Sequence, residues 1–109
     1  MNRGEIVIVS APGDYGKPRP GVVVQSDAYN STHDSIAICL ISSSPGTPTS
    51  FRIPVHPTAK TRLRKESQIM IDKIMTFKRS RIGGPIGSLD TETMAALDRG
   101  IAIWLGLAD

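Results

Sequence analysis

Arg19 stands between two prolines in "KPRPGVVV", and a run of valines follows at once. Proline fixes its own φ and pushes the residue before it toward extended backbone. An arginine held this way presents its side chain from a rigid base. Its planar fork stays charged and can bind two oxygens together. The chemistry this suits is stabilisation of negative charge on a phosphodiester, where the donor must already be in place. A solvated arginine needs no such rigid neighbours.

Other chemistries find little support. His33 and His56 stand alone, without a second ligand at metal-binding spacing, so neither a metal nor a cofactor is expected. The single cysteine, Cys39, lies inside "SIAICLIS"; it allows no intramolecular disulfide and reads as a small buried hydrophobe. "RIGGPIG" has glycines at the wrong spacing to cradle a phosphate, and no G-x-S-x-G elbow occurs. The aromatic residues are only Tyr15, Tyr29, Phe51, Phe77 and Trp104, fewer than RNA modules that bind by stacking generally show. The net charge of +3 permits a polyanionic partner. Its positive side chains cluster as Lys60, Arg62, Arg64 and Lys65, then as Lys78, Arg79 and Arg81; composition alone makes both clusters solvated faces.

The elements that must position these residues follow from apolar spacing. One domain spanning 1–109 is expected, since 109 residues bury one core and little more. No run reaches the ~18 apolar residues of a membrane span, and no secretory leader is evident, so the expected location is the cytoplasm. "EIVIVS" at Glu5–Ser10 predicts a strand, and Gly13–Pro20 a loop. Val22–Gln25 predicts a central strand, and "SDAYNSTHDS" a polar connection. In Ser35–Ser42, Ile36, Ile38 and Leu40 face one side and Ala37, Cys39 and Ile41 the other. "FRIPVHP" turns Phe51, Ile53 and Val55 inward, and Pro54 marks it as an edge strand. "TAKTRLRKES" holds a helical turn, Gln68–Thr76 is a further strand, and "FKRSRIGGPIGS" reads as a basic, glycine-broken segment. Asp90 caps a C-terminal helix with Leu89 and Met94 as its hydrophobic staple, an apolar stripe through Leu97, Ile101 and Leu105, and Gly106 at its stop. Five or so short strands and one helix imply a mainly β protein, a small, strongly bent sheet or barrel.

Taken in order, "RGEIVIVS", "KPRPGVVVQSD", "SIAICLISSS", "RLRKESQIMIDKIMTF", "IGSL" and "MAALDRGIAIWLGL" resemble the MazF/PemK-type toxins, the endoribonuclease half of bacterial toxin–antitoxin pairs. The resemblance implies an SH3-like barrel of about five to seven strands with a C-terminal α-helix, acting as a homodimer. It implies metal-independent, sequence-selective cleavage of single-stranded RNA by the substrate's own 2′-hydroxyl. It also implies inhibition by a cognate antitoxin. The family's key arginine falls on Arg19, its threonine on Ser42, and a carboxylate used by some members on Asp72. Two residues before Asp72, Met70 stands where those members carry an arginine. Substrate contacts are then expected from Lys17, Pro20 and Ser43, and from Lys73, Lys78 and Arg79. Two rivals use the same barrel: a gyrase poison of the CcdB type, for which Trp104 is the relevant residue, and a non-catalytic module binding RNA or protein.

Overall fold

The computed structural model describes residues 1–10 and 17–109, so the first half of the loop expected over Gly13–Pro20 lies outside the described residues. Six strands form one antiparallel sheet: β1 (Glu5–Ser10), β2 (Pro18–Val23), β3 (Ser35–Ser42), β4 (Arg52–Val55), β5 (Ser67–Lys78) and β6 (Ile82–Ser88). Their order across the sheet is β4-β5-β3-β2-β1-β6. A one-turn helix, α1 (Asp27–Asn30), follows β2, and the long helix α2 (Thr91–Trp104) closes the chain.

The sheet is apolar on both faces, which is why its inner strands read as continuous β-branched runs. Ile6, Val22, Cys39, Ile41, Ile69 and Ile71 pack on one face with Leu97 of α2. Val7, Val9, Val23, Ile36, Ile38 and Leu40 pack on the other, with Met70 and Phe77. The two faces of β3 divide as its alternation predicts. Cys39 is fully buried, and burial pushes its thiol up to about 12. Each buried Leu, Ile or Phe contributes about 1.5–3 kcal/mol.

The sheet bends, and its edge strands β4 and β6 are bridged by the connection that follows β4. The segment after β4 reaches β6, where Ser88 N–H donates to the Lys60 carbonyl at 3.0 Å. That contact gives the sheet its barrel form. Pro54 sits on the edge strand β4, as expected. In "TAKTRLRKES" a single turn closes when Arg62 N–H donates to Thr58 O at 2.8 Å.

Three elements differ from the sequence-based expectations. β2 starts at Pro18 instead of Val22 and ends at Val23. The polar connection holds α1, whose N-cap Ser26 accepts from Ala28 N–H at 3.2 Å. The basic, glycine-broken segment holds the end of β5, a 3-10 turn at Arg79–Arg81 and then the edge strand β6, paired with β1 across two register shifts.

Helix α2 follows its sequence signals except at Leu105, expected in the apolar stripe, which is the C-cap and lies exposed because the helix has ended. Asp90 accepts from Thr93 N–H at 2.7 Å, and that bond holds its carboxyl below the usual range. Leu89 is buried and Met94 packs against the same cluster. At the other end Gly106 takes φ +77, a left-handed conformation that costs glycine little. Its N–H donates to Ile103 O at 3.1 Å, and Leu107 N–H to Ala102 O at 2.7 Å, the two bonds of a Schellman stop.

Candidate active site

Arg19 is the second residue of β2 and pairs with Val9 of β1. Toward β3, β2 pairs only through Gly21↔Leu40, Val22↔Cys39 and Val23↔Ile38. Val24 N–H donates to Ala37 O on β3, while Val23 O accepts from Gly4 N–H on the β1 side. Backbone groups alternate in direction along a strand. The even-numbered residues of β2 therefore point theirs at β3. Pro20 and Pro18 occupy the next two such positions, and proline has no N–H. The prolines thus end the ladder with β3 and leave Arg19 paired to β1.

A groove of about 390 Å³ opens where that ladder stops. Lys17, Arg19 and Pro20 line one side; Ser42, Ser43 and Ser44 line the other. Continuing the observed register by two residues sets Arg19 opposite Ser42. Arg19 is exposed in this groove.

Ser42 ends β3 and is half-buried. Its Oγ accepts from Ser44 N–H at 3.1 Å. A hydroxyl has one donor and two acceptor sites, so this bond fixes the oxygen while the O–H can serve a phosphate oxygen. The loop beyond is held by Gln68, which is 3% exposed and pairs with Ser42 across β3 and β5. Its side-chain amide bonds both the N–H and the carbonyl of Gly46.

The remaining expected residues do not join the groove. Asp72 accepts from Arg52 at two points, Nε to Oδ1 at 2.7 Å and Nη2 to Oδ2 at 2.8 Å. Arg52 holds the Asp72 carboxyl below its usual range, and Asp72 raises the guanidinium in return. Lys78 pairs with Ser35, at the end of β3 remote from Ser42, roughly 23 Å away at 3.3 Å per residue. Lys73 is exposed on β5, outside the groove. Arg79 donates through Nη2 to the carbonyls of Asn30 at 2.7 Å and His33 at 2.5 Å, tying down the end of α1. Gln68 drew no attention in the sequence, because its partner lies 22 residues away and no local pattern announces the contact. Among the described residues no group of three or more His, Cys, Asp or Glu side chains could hold a metal ion.

Residues 2–105 match the family model described as PemK-like, MazF-like toxin of type II toxin–antitoxin system. The chain belongs to this family. Across the MazF-like toxins it is 36% identical to a probable endoribonuclease MazF of Mycolicibacterium smegmatis over 109 residues, covering 99% of both proteins. It is 26% identical to endoribonuclease MazF of Staphylococcus saprophyticus over 114 residues, covering 98% of this chain and 92% of that one. Its fold matches a solved mycobacterial endoribonuclease in complex with its cognate antitoxin, with a TM-score of 0.85 at 18% identity, over 100% of this chain and 98% of the other. That solved endoribonuclease therefore shares the sheet-and-helix architecture described above.

Proposed function

We propose that the groove between Arg19 and Ser42 is where this MazF-like toxin cuts RNA. The protein is an endoribonuclease toxin held in check by a cognate antitoxin, a reading supported by the family match and the relatives named endoribonuclease MazF. The solved relative bound to its antitoxin supports the partner. The observation that carries the site is the convergence of Arg19 and Ser42 across the interrupted ladder.

The substrate is single-stranded RNA, cut at selected sequences. Its 2′-hydroxyl oxygen attacks the adjacent phosphorus, a P–O bond forms, and the bond to the next nucleotide's 5′-oxygen breaks. The 2′-proton is lost and the 5′-oxygen gains one, leaving a 2′,3′-cyclic phosphate and a 5′-hydroxyl. Arg19 donates to the non-bridging oxygens as charge builds there. It keeps its proton throughout, since guanidinium is too basic to act as the base. Ser42 donates its hydroxyl to the same phosphate, and Lys17 supplies further positive charge at the rim. Pro20 and Ser43 shape the walls. Asp72, bonded twice to Arg52, serves the sheet on this reading.

The toxin acts as a homodimer in the cytoplasm. No described helix is long and apolar enough to cross a membrane.

Purified protein incubated with end-labelled RNA in excess chelator tests the reading. Expected are fragments with 5′-hydroxyl ends and no cleavage at a 2′-deoxy unit. Cleavage at that unit, or gyrase-dependent DNA breakage with intact RNA, would overturn it.

A further inference from the structure

A second, larger groove adjoins the first. Pro20 and Ser43 wall both, and the second has a volume of about 680 Å³. Arg62, Arg64 and Lys65 stand on its rim, all exposed. Among the described residues no ion pair engages any of the three. The nearest carboxylate in sequence, Glu66, is taken up by His56, with Nδ1 to Oε2 at 2.6 Å. Half-buried Ile8, Leu63 and Ile86 line the groove, with Pro85 beside them. No described residue lining either groove is acidic.

The segment bearing these cations is braced from within. Thr61 is 4% exposed, and its Oγ1 donates to His56 O at 2.7 Å while accepting from Thr58 N–H at 3.0 Å. Arg62 follows at φ +59, a left-handed conformation a non-glycine residue adopts at a cost. Three cations on and just after a braced turn, facing an apolar wall, are arranged for a ligand with repeated negative charge and flat apolar faces.

We propose that this second groove is a subsite for the RNA that flanks the scissile bond. Arg62, Arg64 and Lys65 hold backbone phosphates, and a base lies against Ile8, Leu63 and Ile86. The inference rests on the cleavage reading above, because the shared walls at Pro20 and Ser43 lead a strand leaving Arg19 into this groove. An acidic protein segment would meet the same cations, but the direct continuity with a phosphodiester site favours RNA.

The test measures binding of RNA carrying a 2′-deoxy unit at the scissile position, by fluorescence anisotropy. Lengthening it from a dinucleotide to an octanucleotide strengthens binding to the wild type by about tenfold or more, as added phosphate contacts require. In the variant carrying Arg62→Gln, Arg64→Gln and Lys65→Gln that gain falls below about threefold. The slope of log affinity against log salt decreases by about 2, at ~0.7 per lost phosphate contact on a single strand. A second variant, Arg64→Glu alone, weakens the octanucleotide more than the dinucleotide, and thermal melting of both variants checks folding. A triple variant retaining the full length gain and salt slope overturns the proposal. So does one that loses affinity for an acidic peptide while binding RNA as the wild type does. Failure of the all-ribose octanucleotide to be cleaved by the wild type would sink the cleavage reading by itself, since the length gain reports only binding.

Discussion

Gln68 holds both backbone polar groups of Gly46: Nε2 donates to the Gly46 carbonyl at 2.7 Å, and Gly46 N–H donates to Oε1 at 3.2 Å. One amide therefore fastens the loop that follows Ser42 to a buried position on β5. Gln68→Met keeps the approximate volume and removes both bonds. The Gly46 amide should then exchange with solvent about tenfold faster, each lost bond having contributed about 1 kcal/mol. Under multiple-turnover conditions kcat/KM should fall, and the melting temperature should drop by several degrees, at about 4 °C or more per kcal/mol lost. Unchanged exchange at Gly46 would show that the loop is held by other contacts.

Arg19 and Ser42 should each carry a separable part of the rate. Arg19→Ala is expected to lower kcat roughly a hundredfold to a thousandfold, the typical effect of removing one preorganised donor. Arg19→Lys should recover only part, since lysine lacks the bidentate fork. Ser42→Ala should lose both the phosphate donor and the acceptor for Ser44 N–H. Ser42→Thr should retain most activity, because its hydroxyl is kept. Single-turnover cleavage of a short labelled RNA measures all four.

Asp72 should matter to stability more than to turnover. Asp72→Asn should cost about 1 kcal/mol near neutral pH, the upper range for a partly exposed pair. The sign of the pH dependence follows from the lowered carboxyl. The pair's contribution is full above the unfolded pKa of about 3.9 and fades as pH falls through the lower folded value. The melting temperatures of wild type and variant should therefore converge in acid. A thousandfold loss of cleavage in Asp72→Asn, with folding intact, would instead make Asp72 part of the chemistry.

Gly100 faces the sheet from α2, and a Cβ there would sit 2.7 Å from the Ser50 carbonyl and against Ile71. Alanine is ordinarily the better helix residue by about 1 kcal/mol. Here the clash should reverse that preference and destabilise by about 1–3 kcal/mol. Denaturant unfolding of Gly100→Ala gives the sign directly.

β1, β3 and α2 were legible because each has a strong period and clear end signals. β6 was not, because Gly83, Gly84, Pro85 and Gly87 erase the alternation and its pairing to β1 slips twice. β2 was read too short because "PRP" looks like loop, whereas one-sided pairing with β1 tolerates it. Among the site residues, Arg19 stood out through its local neighbours and Ser42 through the family pattern. Gln68 and the cluster Arg62–Lys65 gain meaning only from contacts or grooves that the fold creates. Arg79, expected at the substrate, is spent on two carbonyls near α1, which no one-dimensional pattern encodes.

The two prolines flanking Arg19 have a consequence for how activity could be lost if the proposed site is right. A residue with an N–H at position 20 could donate toward Ile41, letting β2 and β3 zip two steps further. Such a protein should gain a backbone bond, and on the proposed reading it should be sturdier and silent. Inactivation would then come from too much order, across a seam that the chain's own covalent structure forbids from closing.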